Sequence, residues 1–264
     1  MTTIAVRLLI FLAIVYAGLA AIIYFQQSAF IFPAPQDVYQ PAPGYKAVTL
    51  EAADGLALTA HWRAPSEGRA TLVHFHGNSG SLSGATAENQ LFADQGYGVL
   101  LVGYRGYGGN PGAPSEAGFR EDGRAALAFL KARSIAPEST ILKGHSIGCG
   151  TAVNMALEHE AAALILVAPF TSITDLLTEK MPIFPMRLLL GDPFDNRAKI
   201  PSVATPTLIQ HGTADAVVPA AHGRALANAG PTAQFQSFEG FEHDLSVDPR
   251  VQAAQSDWLA TLSL

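Results

Sequence analysis

Four short, almost continuously apolar runs constrain the fold of this chain more than any other feature of its sequence. These runs are ATLVHF, GVLLVG, ALILVA and PTLIQ, and longer stretches separate them along the chain. A strand that is apolar on both faces needs helices packed on both sides, as in a parallel sheet. The sequence therefore predicts an α/β fold with a mostly parallel sheet and helices on both faces.

Four further runs complete a predicted sheet of eight strands. They are KAVTLE, LALTAHWR, STILKGHS and QFQSFEG. The first two flank Asp54 and Gly55, a pair typical of the turn in a β-hairpin. Among the intervening stretches, residues 115–133 have the apolar spacing of a helix, and Ser115 is its predicted N-cap.

The alternation of strands and helices breaks between Phe170 and Ile200. This stretch is rich in apolar residues but is interrupted by Pro182 and Pro185, which disfavour one long helix. We interpret residues 170–200, approximately, as a small cap over a functional site. An ordinary crossover helix with irregular ends is the alternative.

The N-terminal part of the chain is long and apolar enough to cross a membrane. The 18 residues from Leu8 to Phe25 carry no charge. As a helix they would be about 27 Å long, close to the hydrocarbon thickness of about 30 Å. This stretch predicts a transmembrane helix within a membrane anchor of residues 1–32. Residues 33–45, with four prolines, then form a linker to the folded domain, residues 46–264.

A cleaved signal peptide is the alternative for the same stretch. Arg7 and the apolar residues after it match such a signal, and Gly18 to Ala20 provide an acceptable cleavage site. If the anchor is retained, Arg7 and the amino group are the positive charges before it, and Lys46 is the first after it. The positive-inside rule then predicts a single-pass protein with a cytoplasmic N-terminus and the domain on the far side.

The net charge and the cysteine content argue against nucleic-acid partners and against metal cofactors. Sixteen Lys and Arg against twenty-two Asp and Glu give a formal net charge of −6. Nucleic-acid binding needs the opposite sign, so no nucleic-acid partner is expected. Cys149 is the single cysteine and has no partner for a disulfide within the chain. No Cys and His spacing matches a zinc site, so neither a metal nor a cofactor is predicted.

A GxSxG motif at residues 144–148 lies between a predicted strand and a predicted helix. In that position the serine occupies a sharp turn, and the flanking glycines leave room for the backbone. Ser146 would then project from the end of the sheet at a helix N-terminus, where partial positive charge favours a developing anion. Ser146 is therefore the predicted nucleophile.

A serine nucleophile needs a histidine base and a carboxylate that orients it. In this arrangement the acid follows the serine in the chain and the base comes last. Asp215 follows the predicted strand TLIQHG and is the favoured acid, with Asp175 as the second candidate. His243 follows the last predicted strand and is the favoured base. His222 also follows Asp215 but is interpreted as a surface or capping residue.

The negative oxygen that forms during acyl transfer requires two backbone N–H donors. One comes from the residue after the nucleophile, here Ile147, and the other from the loop after the third strand. That loop is HGNSGS at residues 76–81, and Gly77 allows it to turn tightly. The predicted oxyanion donors are the N–H groups of Asn78 and Ile147.

With these residues in place, the chain resembles the α/β-hydrolase superfamily, and within it the membrane-anchored, Bem46-like serine hydrolases with α/β-hydrolase domains. The stretches that carry the resemblance are HGNSG, YRGYGGNPGAPSEAG, GHSIGCGTAV, PFTS and HGTADAVVPAAHGRAL. The resemblance implies the α/β-hydrolase fold and an uncleaved anchor. Three positions depart from the family pattern: Gly103 replaces an Asp, Cys149 replaces a Gly, and Glu242 precedes His243. The role of Glu242 stays open.

The resulting expectation is a serine hydrolase of carboxylic esters or thioesters. The apolar cap and anchor favour acyl chains of lipids or of acylated proteins as substrates. The first alternative is a serine aminopeptidase, which would need carboxylates for the substrate amine, and Glu179, Asp192 and Asp195 are the candidates. The second is a binding protein without catalytic activity.

Overall fold

Eight strands form one mixed sheet in the computed structural model, which describes residues 2–264. The strands are β1 (Lys46–Glu51), β2 (Ala57–Arg63), β3 (Thr71–Phe75), β4 (Gly98–Val102), β5 (Thr140–His145), β6 (Ala163–Val167), β7 (Thr207–Gly212) and β8 (Ala233–Phe238). Their order across the sheet is β1-β2-β4-β3-β5-β6-β7-β8. β1 and β2 form the predicted hairpin, and β2 is also antiparallel to β4. The other neighbours are parallel, which confirms the predicted mostly parallel sheet.

The five central strands, β3 to β7, are buried along their whole length. Alternate residues of β4 point to opposite faces, so Leu100 and Val102 pack in one core cluster and Val99 and Leu101 in the other. Both faces of these strands are therefore covered, which explains their continuous apolar sequences. The parallel order also brings the C-terminal ends of β3, β5, β6 and β7 to one edge of the sheet, where the candidate site lies.

Ten α-helices occur within residues 2–264. They are α1 (Thr2–Ile31), α2 (Leu82–Ala87), α3 (Gln90–Asp94), α4 (Glu116–Lys131), α5 (Gly148–Glu158), α6 (Ile173–Lys180), α7 (Met186–Leu189), α8 (Asn196–Lys199), α9 (Ala220–Ala229) and α10 (Pro249–Thr261). Ser115 caps α4 as predicted, because its Oγ accepts a hydrogen bond from the Gly118 N–H at 3.0 Å.

The stretch between β6 and β7 contains α6, α7 and α8 instead of one crossover helix. Ser172 caps α6 through a 2.8 Å hydrogen bond from the Asp175 N–H. α6 ends at Lys180, two residues before Pro182, and α7 begins directly after Pro185. The prolines thus separate the short helices, since proline disfavours the helical conformation in the residue before it.

α1 is longer than the apolar run Leu8–Phe25 that predicted it, and its end packs against the folded domain. Ile31 is 6% exposed and Phe32 is 4% exposed. The Phe32 ring contacts Phe119 and Phe194, with ring centroids 5.3 Å and 6.1 Å apart. Residues 31 and 32, the last of the predicted anchor, thus pack in the core of the domain.

Candidate active site

Ser146 lies on a tight turn between β5 and α5. Its backbone φ is +52°, in the left-handed region that residues other than glycine rarely adopt. A Cβ on Gly148 would lie 2.0 Å from the Phe75 carbonyl oxygen, and one on Gly144 would lie 2.6 Å from the Cys149 nitrogen. Both positions of the GxSxG motif therefore require glycine, because larger residues would overlap the backbone that holds Ser146.

Ser146, His243 and Asp215 form a hydrogen-bonded chain. The His243 Nε2 atom lies 2.9 Å from Ser146 Oγ, and its Nδ1 atom lies 2.7 Å from Asp215 Oδ2. A carboxylate can only accept hydrogen bonds, so the proton between His243 and Asp215 belongs to Nδ1. The neutral imidazole then has a free lone pair on Nε2, which accepts the Ser146 hydroxyl proton.

The Asp215 side chain is fully buried and accepts hydrogen bonds from several donors. Its Oδ1 atom accepts from the backbone N–H groups of Val217 at 2.9 Å and Val218 at 2.8 Å. His211 Nε2 lies 3.2 Å from Oδ2. Burial raises the pKa of Asp215, but the hydrogen bonds from His211, His243 and Val218 outweigh it and hold this pKa well below its usual range. Asp215 is therefore ionised at neutral pH.

His211 is a site residue that the sequence analysis did not predict. It stands four positions before Asp215, at the end of β7. Its Nε2 also lies 2.9 Å from the Val218 carbonyl oxygen, so one N–H is shared between that carbonyl and the Asp215 carboxylate. The signal in the sequence was a histidine close before the favoured acid.

The second-choice residues lie elsewhere and have other partners. Asp175 accepts a 3.0 Å hydrogen bond from Thr171 Oγ1 near the start of α6. His222 Nδ1 accepts the Thr171 N–H at 3.2 Å, and its Nε2 lies 3.3 Å from Glu179. The interpretation of His222 as a surface or capping residue is wrong, because the residue is buried. Of the predicted acids and bases, only Asp215 and His243 form a hydrogen bond with each other.

The two predicted oxyanion donors flank Ser146. A Cβ on Gly77 would lie 3.6 Å from Ser146 Cβ, so the loop that carries Asn78 is next to the serine. Ile147 follows Ser146 at the N-terminus of α5. Within residues 2–264, neither the Asn78 nor the Ile147 backbone N–H donates to another protein group. Both N–H groups are therefore available to an oxygen at the site.

Behind the turn lies a buried group of charged and titratable residues that sequence reasoning also missed. Glu88 Oε2 lies 3.3 Å from both His74 Nε2 and His145 Nδ1. Burial raises the pKa of Glu88, but the two histidines lower it further, so this pKa lies well below its usual range. Burial lowers the pKa of His145, but Glu88 raises it above its usual value. Glu88 and His145 therefore form a buried ion pair.

Lys143 completes this buried group. Its Nζ donates to the Glu88 carbonyl oxygen at 2.8 Å and to Asn89 Oδ1 at 3.0 Å. Burial lowers the pKa of Lys143 to about 7. The group lies directly under the turn, because Lys143 and His145 belong to β5, which ends just before Ser146.

The three departures from the family pattern have distinct structural outcomes. A Cβ on Gly103 would lie 2.3 Å from the Thr59 carbonyl oxygen, so no larger residue fits there. Cys149 is buried, and its thiol lies 3.2 Å from the Gly144 carbonyl oxygen. Burial raises the pKa of this thiol, which keeps it protonated. The side chain of Glu242 is exposed to solvent.

The sequence is similar to several known proteins. The family model described as "Serine aminopeptidase, S33" matches residues 66–192. The uncharacterized protein Rv2307c of Mycobacterium tuberculosis is 36% identical over 226 residues, which cover 82% of this chain and 80% of that protein. Human alpha/beta hydrolase domain-containing protein 17B is 37% identical over 131 residues, which cover 48% of this chain and 43% of that protein.

A structural similarity covers most of the chain. The esterase PF2001 of Pyrococcus furiosus superposes with a TM-score of 0.71 and 16% sequence identity, covering 88% of this chain and 97% of that chain. At this level of identity the similarity concerns the fold.

Proposed function

Because this chain belongs to the α/β-hydrolase superfamily, we propose that it is a serine hydrolase that cleaves carboxylic esters or thioesters. The observation that carries the proposal is the hydrogen-bonded chain from Ser146 through His243 to Asp215, at 2.9 Å and 2.7 Å. This order of groups provides a nucleophile, a base and an orienting carboxylate.

In the proposed first step, Ser146 Oγ attacks the acyl carbon while its proton moves to His243 Nε2. The imidazolium that forms is stabilised by Asp215, which remains a carboxylate. Collapse of the tetrahedral intermediate breaks the bond to the alcohol or thiol, which leaves with the proton from His243. Water then attacks the acyl-enzyme with the same base, releases the carboxylic acid and regenerates Ser146.

The N–H groups of Asn78 and Ile147 are the proposed donors to the tetrahedral oxyanion. Their free hydrogen-bonding capacity and their position on either side of Ser146 support this role. Each such donor contributes roughly 2.7 to 4 kcal/mol to transition-state stabilisation in related chemistry.

The proposed substrates are acyl chains of lipids or acylated proteins, and the proposed location is a membrane. α1 supports both, since its 29 residues from Thr3 to Ile31 form an apolar helix long enough to cross a bilayer. Arg7 near its N-terminus supports a single-pass arrangement with a cytoplasmic N-terminus and the domain on the far side. A retained signal anchor is part of this proposal.

A serine aminopeptidase is the second candidate, because the matching family model carries that description. The three candidate carboxylates for a substrate amine all have other partners. Glu179 lies 3.3 Å from His222, Asp192 accepts the Glu116 N–H at 2.7 Å, and Asp195 caps α8 through Ala198. These contacts favour the ester or thioester hydrolase.

The test is labelling of the full-length protein with a fluorophosphonate, followed by assays with p-nitrophenyl esters of increasing chain length and with aminoacyl amides. We expect labelling that Ser146→Ala abolishes, and faster hydrolysis of longer acyl esters. Labelling that persists in Ser146→Ala would refute the assignment of the nucleophile. A strong preference for aminoacyl amides would support the aminopeptidase instead.

A further inference from the structure

α1 lies against a segment of the stretch between β6 and β7, residues 181–190, which contains α7. The Tyr16 hydroxyl donates to the Ile183 carbonyl oxygen at 2.8 Å, and its ring stacks on Phe184 with centroids 5.2 Å apart. Eleven residues further along α1, Gln27 Nε2 donates to the Leu189 carbonyl oxygen at 2.9 Å. The 181–190 segment therefore follows α1 over a distance of roughly 16 Å.

The outer side of the 181–190 segment is apolar and exposed. Ile183 is 69% exposed and Leu188 is 79% exposed, while Phe184 and Met186 are buried behind them. No residue of the described chain, 2–264, covers these two side chains. They extend the exposed apolar surface of α1, and such a continuous apolar surface marks a contact with a membrane or a partner.

Part of the backbone of the segment has hydrogen-bond partners within the protein. The N–H groups of Phe184, Met186, Leu188 and Leu190 all donate to carbonyl groups within the segment. Prolines occupy two further positions and have no N–H. Tyr16 and Gln27 donate to two of its carbonyl groups. Each backbone polar group without a partner costs several kcal/mol in lipid, so these hydrogen bonds lower the cost of placing the segment there.

The position of the Tyr16–Ile183 contact along α1 gives the depth of the segment in the membrane. Tyr16 precedes Phe25, the end of the apolar run Leu8–Phe25, by nine residues, or about 14 Å of helix. This is within one half of a hydrocarbon layer about 30 Å thick. Arg187 is the single charged residue of the segment and is exposed. Its long side chain can reach the phosphates at the surface.

We propose that the 181–190 segment enters the leaflet nearest the folded domain, beside α1. This inference rests on the proposed membrane placement of α1. The acyl region of the bilayer then contacts the apolar surface that Ile183 and Leu188 form. The site opens on the same side of the molecule, because Asn78 Nδ2, in the loop next to Ser146, lies 3.5 Å from the Ile31 carbonyl oxygen at the end of α1. Acyl chains would reach Ser146 directly from the membrane.

The experiment uses an environment-sensitive fluorophore on a single introduced cysteine of the full-length protein in phosphatidylcholine vesicles. Cys149 is buried, so the native thiol gives little background. The test position is Leu188→Cys. The matched control is Leu157→Cys, a 37% exposed leucine near the end of α5, at the opposite edge of the sheet. Quenching is measured with nitroxides on the lipid acyl chains and with iodide in the water.

We expect acyl-chain nitroxides to quench the probe at residue 188 severalfold more than at residue 157, and iodide to show the reverse. Equal quenching at both positions would overturn the proposal. Protection of residue 188 from both quenchers would also overturn it, since another protein surface, such as a second copy, would then cover the segment. Absence of the protein from the vesicles would contradict the membrane placement of α1 as well.

Fluorophosphonate labelling of the same two variants separates this inference from the proposed hydrolase activity. Quenching at residue 188 without labelling of Ser146 would support the lipid contact and count against the hydrolase. Labelling without quenching would do the opposite.

Discussion

The His145 Nε2 atom lies 3.3 Å from the carbonyl oxygen of His243. The residue that precedes Ser146 in the chain therefore also contacts the loop that presents the histidine to Ser146. Because Glu88 holds the other ring nitrogen of His145 at 3.3 Å, this contact is anchored in the core. The buried ion pair thus connects β5, which ends just before Ser146, to the His243 loop.

We expect Glu88→Gln to lower the free energy of unfolding by about 3 kcal/mol, because it removes one partner of a buried ion pair. Chemical unfolding of the detergent-solubilised protein measures this change. Glu239→Gln, at an exposed position, is the control and should change the free energy by less than about 0.5 kcal/mol. Equal effects of the two substitutions would show that the Glu88 charge has no structural role.

Asp215→Asn should reduce kcat by roughly 10⁴, since the amide would favour the wrong tautomer of His243. Asp175→Asn should stay within severalfold of the unmodified protein, because Asp175 accepts a hydrogen bond from Thr171 and has no contact with His243. Hydrolysis of a soluble p-nitrophenyl ester measures both rates. A reversed order would assign the acid to Asp175.

Phe32→Ala should destabilise the full-length protein by about 3 kcal/mol, because it opens a cavity beside Phe119 and Phe194. Phe30→Ala is the matched control, since Phe30 is 71% exposed while Phe32 is 4% exposed. Unfolding in detergent compares the two variants. If both substitutions lower the free energy of unfolding by the same amount, the end of α1 does not belong to the core.

The contribution of His76 to the free energy of unfolding should fall as the pH drops from 6.5 to 4. Burial lowers the pKa of His76 to about 4, so the unfolded chain binds a proton in this range that the folded protein excludes. The loss amounts to about 3 kcal/mol for this residue alone. His74, whose pKa burial also lowers, adds to it, while Asp122, whose pKa burial raises to about 6, opposes it in the same pH range.

Chemical unfolding at a series of pH values measures this dependence. His76→Asn should remove a large part of the loss. His159→Gln, at an exposed helix end, should retain it. A pH dependence that is identical in the His76 variant would assign the acid sensitivity to other groups.

The sequence by itself determined the sheet and the position of the serine, because these follow from local patterns. Continuous apolar runs indicated strands that are covered on both faces. Gly144 and Gly148 indicated a turn that is too tight for side chains. Asp215 and His243 were also predicted, since the order of elements along the chain limits which residues reach the same edge of a parallel sheet.

Only the tertiary structure decided which distant residues meet. Glu88 pairs with His145, 57 positions away, and Tyr16 contacts Ile183, 167 positions away. Neither pair has a local signal, because periodicity and turn residues describe neighbours in the chain. Such contacts depend on how helices and loops pack across the finished sheet, so burial of Phe32 and the course of the 181–190 segment along α1 required the folded chain.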